Sequence, residues 1–160
     1  PIPEWLIVLG FAFGGIVRGG LVALLVFFVI LIAPVLKLHL ENPVLALLIL
    51  FLIAAFFSLG GLLNAMLAKK FDDVSFIPSF VLTPLTYLGG IFYPLTSLPE
   101  FWQNIAMANP VQHMVSSLRY AFLGTSDLPL WPSIVILTAG NILLFYASLR
   151  YLKRGLGMRN

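Results

Sequence analysis

The side chains able to do acid, base or metal chemistry are few: the carboxylates Glu4, Glu41, Asp72, Asp73, Glu100 and Asp127, and the imidazoles of His39 and His113. Proton transfer or metal binding needs two or more such groups within reach of one another. His113 has no carboxylate at a useful spacing, and every acid falls in a loop or at a helix end. With no cysteine there is no thiolate nucleophile, thiolate metal site or disulfide. Neither His-Glu-x-x-His nor Gly-x-Ser-x-Gly occurs, and the glycines around Arg18 are not followed by the Gly-Lys-Ser/Thr of a phosphate loop. No catalytic or metal-binding residue is assigned, and the chain is not expected to be an enzyme.

What remains must be positioned by a solvent other than water. Of the 160 residues, 61% are hydrophobic and 9% charged, against about 25% charged in soluble domains. That leaves too little polar surface for a water-soluble globule, and too little polarity for a disordered chain. Four largely uncharged runs reach the roughly 20 residues that cross a bilayer as helix: Trp5 to Leu36, Val44 to Ala68, Val74 to Pro99 and Leu128 to Leu149. The expected fold is an all-α membrane protein with transmembrane helices over about 5–36, 44–68, 74–94 and 131–150. Two short outer-face re-entrant or amphipathic helices are expected in a hairpin over 97–124.

Basic residues set orientation. Lys69, Lys70, Arg150, Lys153, Arg154 and Arg159 fall on one side of this topology, Lys37 and Arg119 on the other. Both ends are therefore expected in the cytoplasm, with 37–43 and 94–132 outside. Arg18, counted back from Leu36, falls about 27 Å down the first helix, near the cytoplasmic surface, where it can snorkel. Gly10, Gly14, Gly15 and Gly19 have the small-xxx-small spacing of close helix packing.

Local signals divide the rest. Asn64 reads as an interhelical hydrogen-bonding group, and Asp72 and Asp73 as caps of the third helix. Pro84 should kink or break that helix, and Gly89-Gly90 loosen it. Thr83, Thr86, Tyr87 and Phe92 lie about the break as a candidate substrate path, a plain packing kink being the alternative. Ser97-Leu98-Pro99-Glu100 reads as a capping box, Asn109-Pro110 as an N-cap and first turn, and Gly124 as a helix stop. Val111, Val115, Leu118 and Phe122 would share the apolar face of the second short helix, with Gln112, Ser116 and Arg119 elsewhere.

The stretch FDDVSFIPSFVLTPLTYLGGIFYPLTSLPEFWQ, followed by Asn109-Pro110 and by RYAFLG at 119–124, resembles the C-terminal half of ABC-2 type transporter permeases. GGIVRGG at 14–20 and SLGGLLNAMLAKKFDD at 58–73 fit the branch that holds bacterial inner-membrane permeases and nodulation-factor exporters. The resemblance implies helices three to six of a six-span permease that dimerises and docks two ATP-binding cassette subunits. ATP and Mg would sit on that partner, with no cofactor on this chain. Lys69, Lys70, Phe71, Asp72 and Asp73 would form the ATPase contact, and Leu118, Arg119 and Phe122 a candidate outer gate. The expected activity is outward movement of amphipathic cargo, drug, lipid or lipid-linked saccharide, across the inner membrane. Membrane lipid is a further expected contact, and nucleic acid is not. The amphipathic elbow helix, the first two spans and most of the main coupling helix have no counterpart here. The open alternatives are a non-transporting membrane assembly or binding module, an inactive fragment, and a small membrane enzyme.

Overall fold

The computed structural model describes residues 2–32, 40–70 and 72–153. Lys37, His39, Phe71, Arg154 and Arg159 lie outside the described residues, so part of the expected outer loop, one member of the ATPase contact and part of the charge count do too.

The described residues are helical without strands, as the composition requires of backbone in lipid. Helices α1 (Glu4–Ile32), α2 (Pro43–Leu67) and α7 (Leu130–Lys153) are each long and apolar enough to cross a membrane. They pack in one group in which α1 runs antiparallel to α2, while α2 and α7 run parallel. At one end Val8, Ala12 and Leu59 are buried against Leu144, Phe145 and Leu149. At the other, Ala46, Ile49 and Ala121 form a core with Leu118, Phe122 and Leu130. The first can be named the lysine end, after Lys69, Lys70 and Lys153, and the second the hairpin end.

Close approach of α1 to α2 rests on small residues. A Cβ on Gly15 would collide with the Ser58 side chain, and one on Gly19 would meet the Ala54 Cβ at 3.3 Å. The Ser58 hydroxyl donates to the Phe11 carbonyl at 3.1 Å. These contacts change the expected place of Arg18. Arg18 is fourteen residues from the start of α1, about 21 Å along the axis. Pairing Gly15 with Ser58 and Gly19 with Ala54 sets it level with the middle of α2. Along the candidate span α2 that level is mid-way between the two ends, and Leu36, from which the sequence distance is counted, lies outside the described residues. Toward the hairpin end α1 and α2 leave an apolar cavity of about 760 Å³ between them, reaching Phe27, Phe51 and Phe122.

The third expected span is a shorter element. Helical backbone runs as α3 (Asp73–Phe76), a π-helical stretch (Ile77–Leu82) and α4 (Thr83–Tyr87), about 22 Å in all against about 37 Å for α2. The irregularity comes from both prolines, not from Pro84 alone. Pro84 has no N–H and its ring crowds the preceding turn, and the backbone widens so that Thr83 N–H bonds the Pro78 carbonyl five residues back. The helix ends at Leu88, and Gly90 takes a left-handed φ of 68° that turns the chain away. The chain continues into α5 (Glu100–Met107) and α6 (Pro110–Leu123), and Asn109 at the start of α6 meets the end of α4 at Leu85.

Two cap expectations need revision. Ser97 closes a single 3₁₀ turn (Leu95–Ser97), and α5 opens after Pro99 with no side-chain cap. The Pro99 carbonyl accepts from the N–H groups of Trp102 and Gln103, opening the helix through backbone bonds alone. Asp72 makes no cap bond, while Asp73 reaches backwards and accepts from the N–H of Lys69 and Lys70 at 3.0 and 2.9 Å. Asn109 and Gly124 act as expected: the Asn109 side chain accepts from Val111 N–H at 2.9 Å, and Gly124 stops α6 with φ 70°.

Candidate functional site: a broken helix under its hairpin

A helix broken inside a bilayer exposes carbonyls that no water can satisfy, so neighbouring side chains must. Because Pro78 has no N–H, the Val74 carbonyl loses its intrahelical partner, and Asn64 from α2 donates to it at 2.8 Å. At the other end Gly89 N–H turns to Thr86, leaving the Leu85 carbonyl, and Asn109 donates to that at 2.6 Å. One amide side chain thus caps α6 and holds the top of α4. The Gly90 carbonyl accepts from Arg119 at 2.9 Å, and Arg119 also pairs with Asp127 at 2.5 Å. This is the one ion pair among the described residues. Asp127, in the loop after α6, was not singled out from the sequence as a partner of Arg119.

The polar residues of α6 depart from the expected pattern. Gln112, His113, Ser116 and Ser117 are buried, facing protein and not the membrane surface. His113 Nε2 donates to the Met107 carbonyl at 2.9 Å, since a carbonyl can only accept, and Nδ1 meets the Ser133 hydroxyl at 2.9 Å. Ser116 accepts from Leu128 N–H at 2.9 Å. These bonds fasten α6 to the end of α5 and the start of α7. Gln112 is the exception: it is 1% exposed, its amide is pressed against Gly90, and neither its oxygen nor its nitrogen has a partner among the described residues.

The residues of the candidate substrate path separate into two pairs. Thr83 and Thr86 turn their hydroxyls to their own helix, donating to the Pro78 and Leu82 carbonyls at 3.1 and 2.7 Å. Tyr87 and Phe92 stack on each other across the turn, ring centres 5.7 Å apart, and both are exposed. The three candidate gate residues are all half-buried: Leu118 and Phe122 pack on the Ala46, Ile49 and Ala121 core, and Arg119 is held as above. Lys69, Lys70, Asp72 and Asp73 are exposed at the opposite end, in a turn tightened by the Asp73 carboxylate. No group of three or more potential metal ligands occurs among the described residues.

The family model of the ABC-2 type transporter matches residues 1–123, from the start of α1 to the end of α6. The chain belongs to the ABC-2 type transporter family. It is 43% identical over its full length to the inner membrane transport permease YadH of Escherichia coli strain K12, covering 62% of that protein. Nodulation protein J of Rhizobium leguminosarum bv. viciae is 32% identical over 102 residues, 64% of this chain and 39% of that one. The same protein of Rhizobium meliloti strain 1021 is 30% identical over 102 residues, again 64% of this chain and 38% of that one. The chain therefore spans less than two thirds of the length of these relatives. No solved structure matches it. Within this ABC-2 chain the broken helix, the hairpin and the Lys69–Asp73 turn all lie inside the matched region, while Asp127 lies just beyond it.

Proposed function

We propose that this chain is part of the membrane-spanning permease of an ABC exporter, moving amphipathic cargo outward across the inner membrane with ATP hydrolysed by a separate cassette subunit. The complete permease works as a homodimer, and both ends of the chain face the cytoplasm. The observation that carries the reading is the joint at Gly90. A helix shorter than the membrane is thick ends just before it, the left-handed Gly90 turns the chain away, and Arg119 of the hairpin closes over that glycine. Such a joint can change its angle without breaking a long helix, because its outer bonds are side-chain bonds that can be exchanged. Leu118, Arg119 and Phe122 form the outer gate on this reading. Tyr87 and Phe92 offer exposed aromatic surface to the path, and the bonded hydroxyls of Thr83 and Thr86 play a lesser part. The exposed turn from Lys69 to Asp73 receives the ATPase.

The test uses the full-length permease co-expressed with its cassette subunit. Replacing residues 69–73 together by Gly and Ser should abolish co-purification of the ATPase, and normal binding after that change would make the turn a plain linker. Replacing Leu118 and Phe122 together by Ala should raise ATP turnover in the absence of cargo. Unchanged turnover in a variant that inserts normally would reduce the hairpin to an anchor.

A further inference from the structure

Arg18 stands apart from the other charges. Its position level with the middle of α2 follows from the contacts of Gly15 with Ser58 and Gly19 with Ala54. Its side chain leans toward the helix N-terminus, the lysine end, but a shift of one turn, about 5.4 Å, does not bring it to the level of Glu4, about 21 Å away. Lipid phosphates are out of reach too, about 15 Å from the centre of the hydrocarbon. A cation at this depth is costly and is kept where it meets water, an anion or a carbonyl.

Arg18 is exposed on the surface of the chain, on the face of α1 that also carries Phe11, Gly14, Val22, Leu25 and Val29. Toward the lysine end that face opens into a cleft lined by Gly10, Gly14 and, from α2, Ser58. The chain has six carboxylates, and none shares this depth. Glu4, Asp72 and Asp73 belong to the lysine end, and Glu41, Glu100 and Asp127 to the hairpin end. A second copy of the chain therefore brings no counter-charge to Arg18 at mid-depth.

We propose that the Arg18 face of α1 lines the transport path and that Arg18 binds an anionic head group, phosphate or carboxylate, of the amphipathic cargo as it passes mid-membrane. The proposal rests on the transporter reading and narrows its substrate class by charge complementarity.

The absence of cysteine makes the test direct. In the full-length permease in membranes, any other cysteines having been replaced, Arg18→Cys and Val17→Cys are compared. Val17 has nearly the same depth and lies about 100° round the helix. A charged thiosulfonate reagent should label the first at least about tenfold faster, as expected of a thiol facing water and not lipid. Equal rates, or no labelling at position 18, overturn the proposal and mean that lipid or another protein segment covers Arg18. The second arm places the cysteine at Val22, one turn away on the same face, and adds dodecyl phosphate or dodecyl maltoside below solubilising concentration. Dodecyl phosphate should slow labelling several-fold when Arg18 is present and not in Arg18→Gln, and the neutral maltoside should not slow it. Protection that is absent, or indifferent to head-group charge, overturns the anion assignment. Neither arm uses nucleotide or a cassette subunit, so failure of ATP-driven export leaves both results readable.

Discussion

Helices α1 and α6 invert the rule that governs proteins in water. α1 is almost wholly apolar and buries only Val8 and Ala12, whereas α6 carries Gln112, His113, Ser116 and Ser117 and buries all four. In water an apolar face is driven inward. In lipid it is already solvated, so nothing pushes α1 inward except close packing at small residues. Polar groups, by contrast, have no partner in hydrocarbon and must find one in protein. The contents of α6 are therefore the fasteners of this fold, and α1 is a surface.

That comparison predicts a ranking of stabilities, each measured by thermal or denaturant unfolding of the full-length permease in lipid discs. Asn109→Ala should have the largest effect, because it removes the α6 cap and leaves the Leu85 carbonyl bare, together about 2–4 kcal/mol. A loss below about 1 kcal/mol would mean that the break is satisfied in another way. His113→Leu frees Met107 and Ser133 and should cost about 1–3 kcal/mol. Gln112→Leu should act in the opposite direction, stabilising by about 1 kcal/mol, since it replaces an unpartnered buried amide with a side chain of similar volume. Destabilisation there would show that the amide is bonded. At the bottom of the scale Leu25→Ala, on the exposed face of α1, should change stability by less than about 0.5 kcal/mol. A larger loss would reveal a protein surface packed on that face.

How far these features can be read from sequence depends on whether the signal is local. Asn109-Pro110 and Gly124 were legible because a cap and a left-handed stop are decided within one turn. Asn64 was legible as a bonding residue, although not its target, because an amide within an apolar run needs some partner. The level of Arg18 was not, since it depends on register against α2. The shortness of the third helix depends on how the chain beyond Tyr87 is folded back by Gly90, to which charge-free length is blind. The burial of the α6 polar face was hidden for a related reason. An amphipathic pattern has the same period whether its polar side meets headgroups or other helices. The Arg119–Asp127 pair joins a helix to a loop, a separation at which no helical periodicity operates.

The bond between Asn109 and the Leu85 carbonyl also sets an order of assembly. The two residues are 24 positions apart, and at about 5–20 residues per second of synthesis the acceptor is made a second or more before its donor. During that interval the short helix has neither the length to span the membrane alone nor a partner for its open end. α1 and α2, joined through Gly15 and Gly19, can already be in place as a hairpin by then. The broken helix consequently settles later than α1 and α2, waiting on α6 and on the arrival of Arg119 and Asp127. Slowing or pausing translation between residues 90 and 109 would lengthen its exposure to membrane quality control.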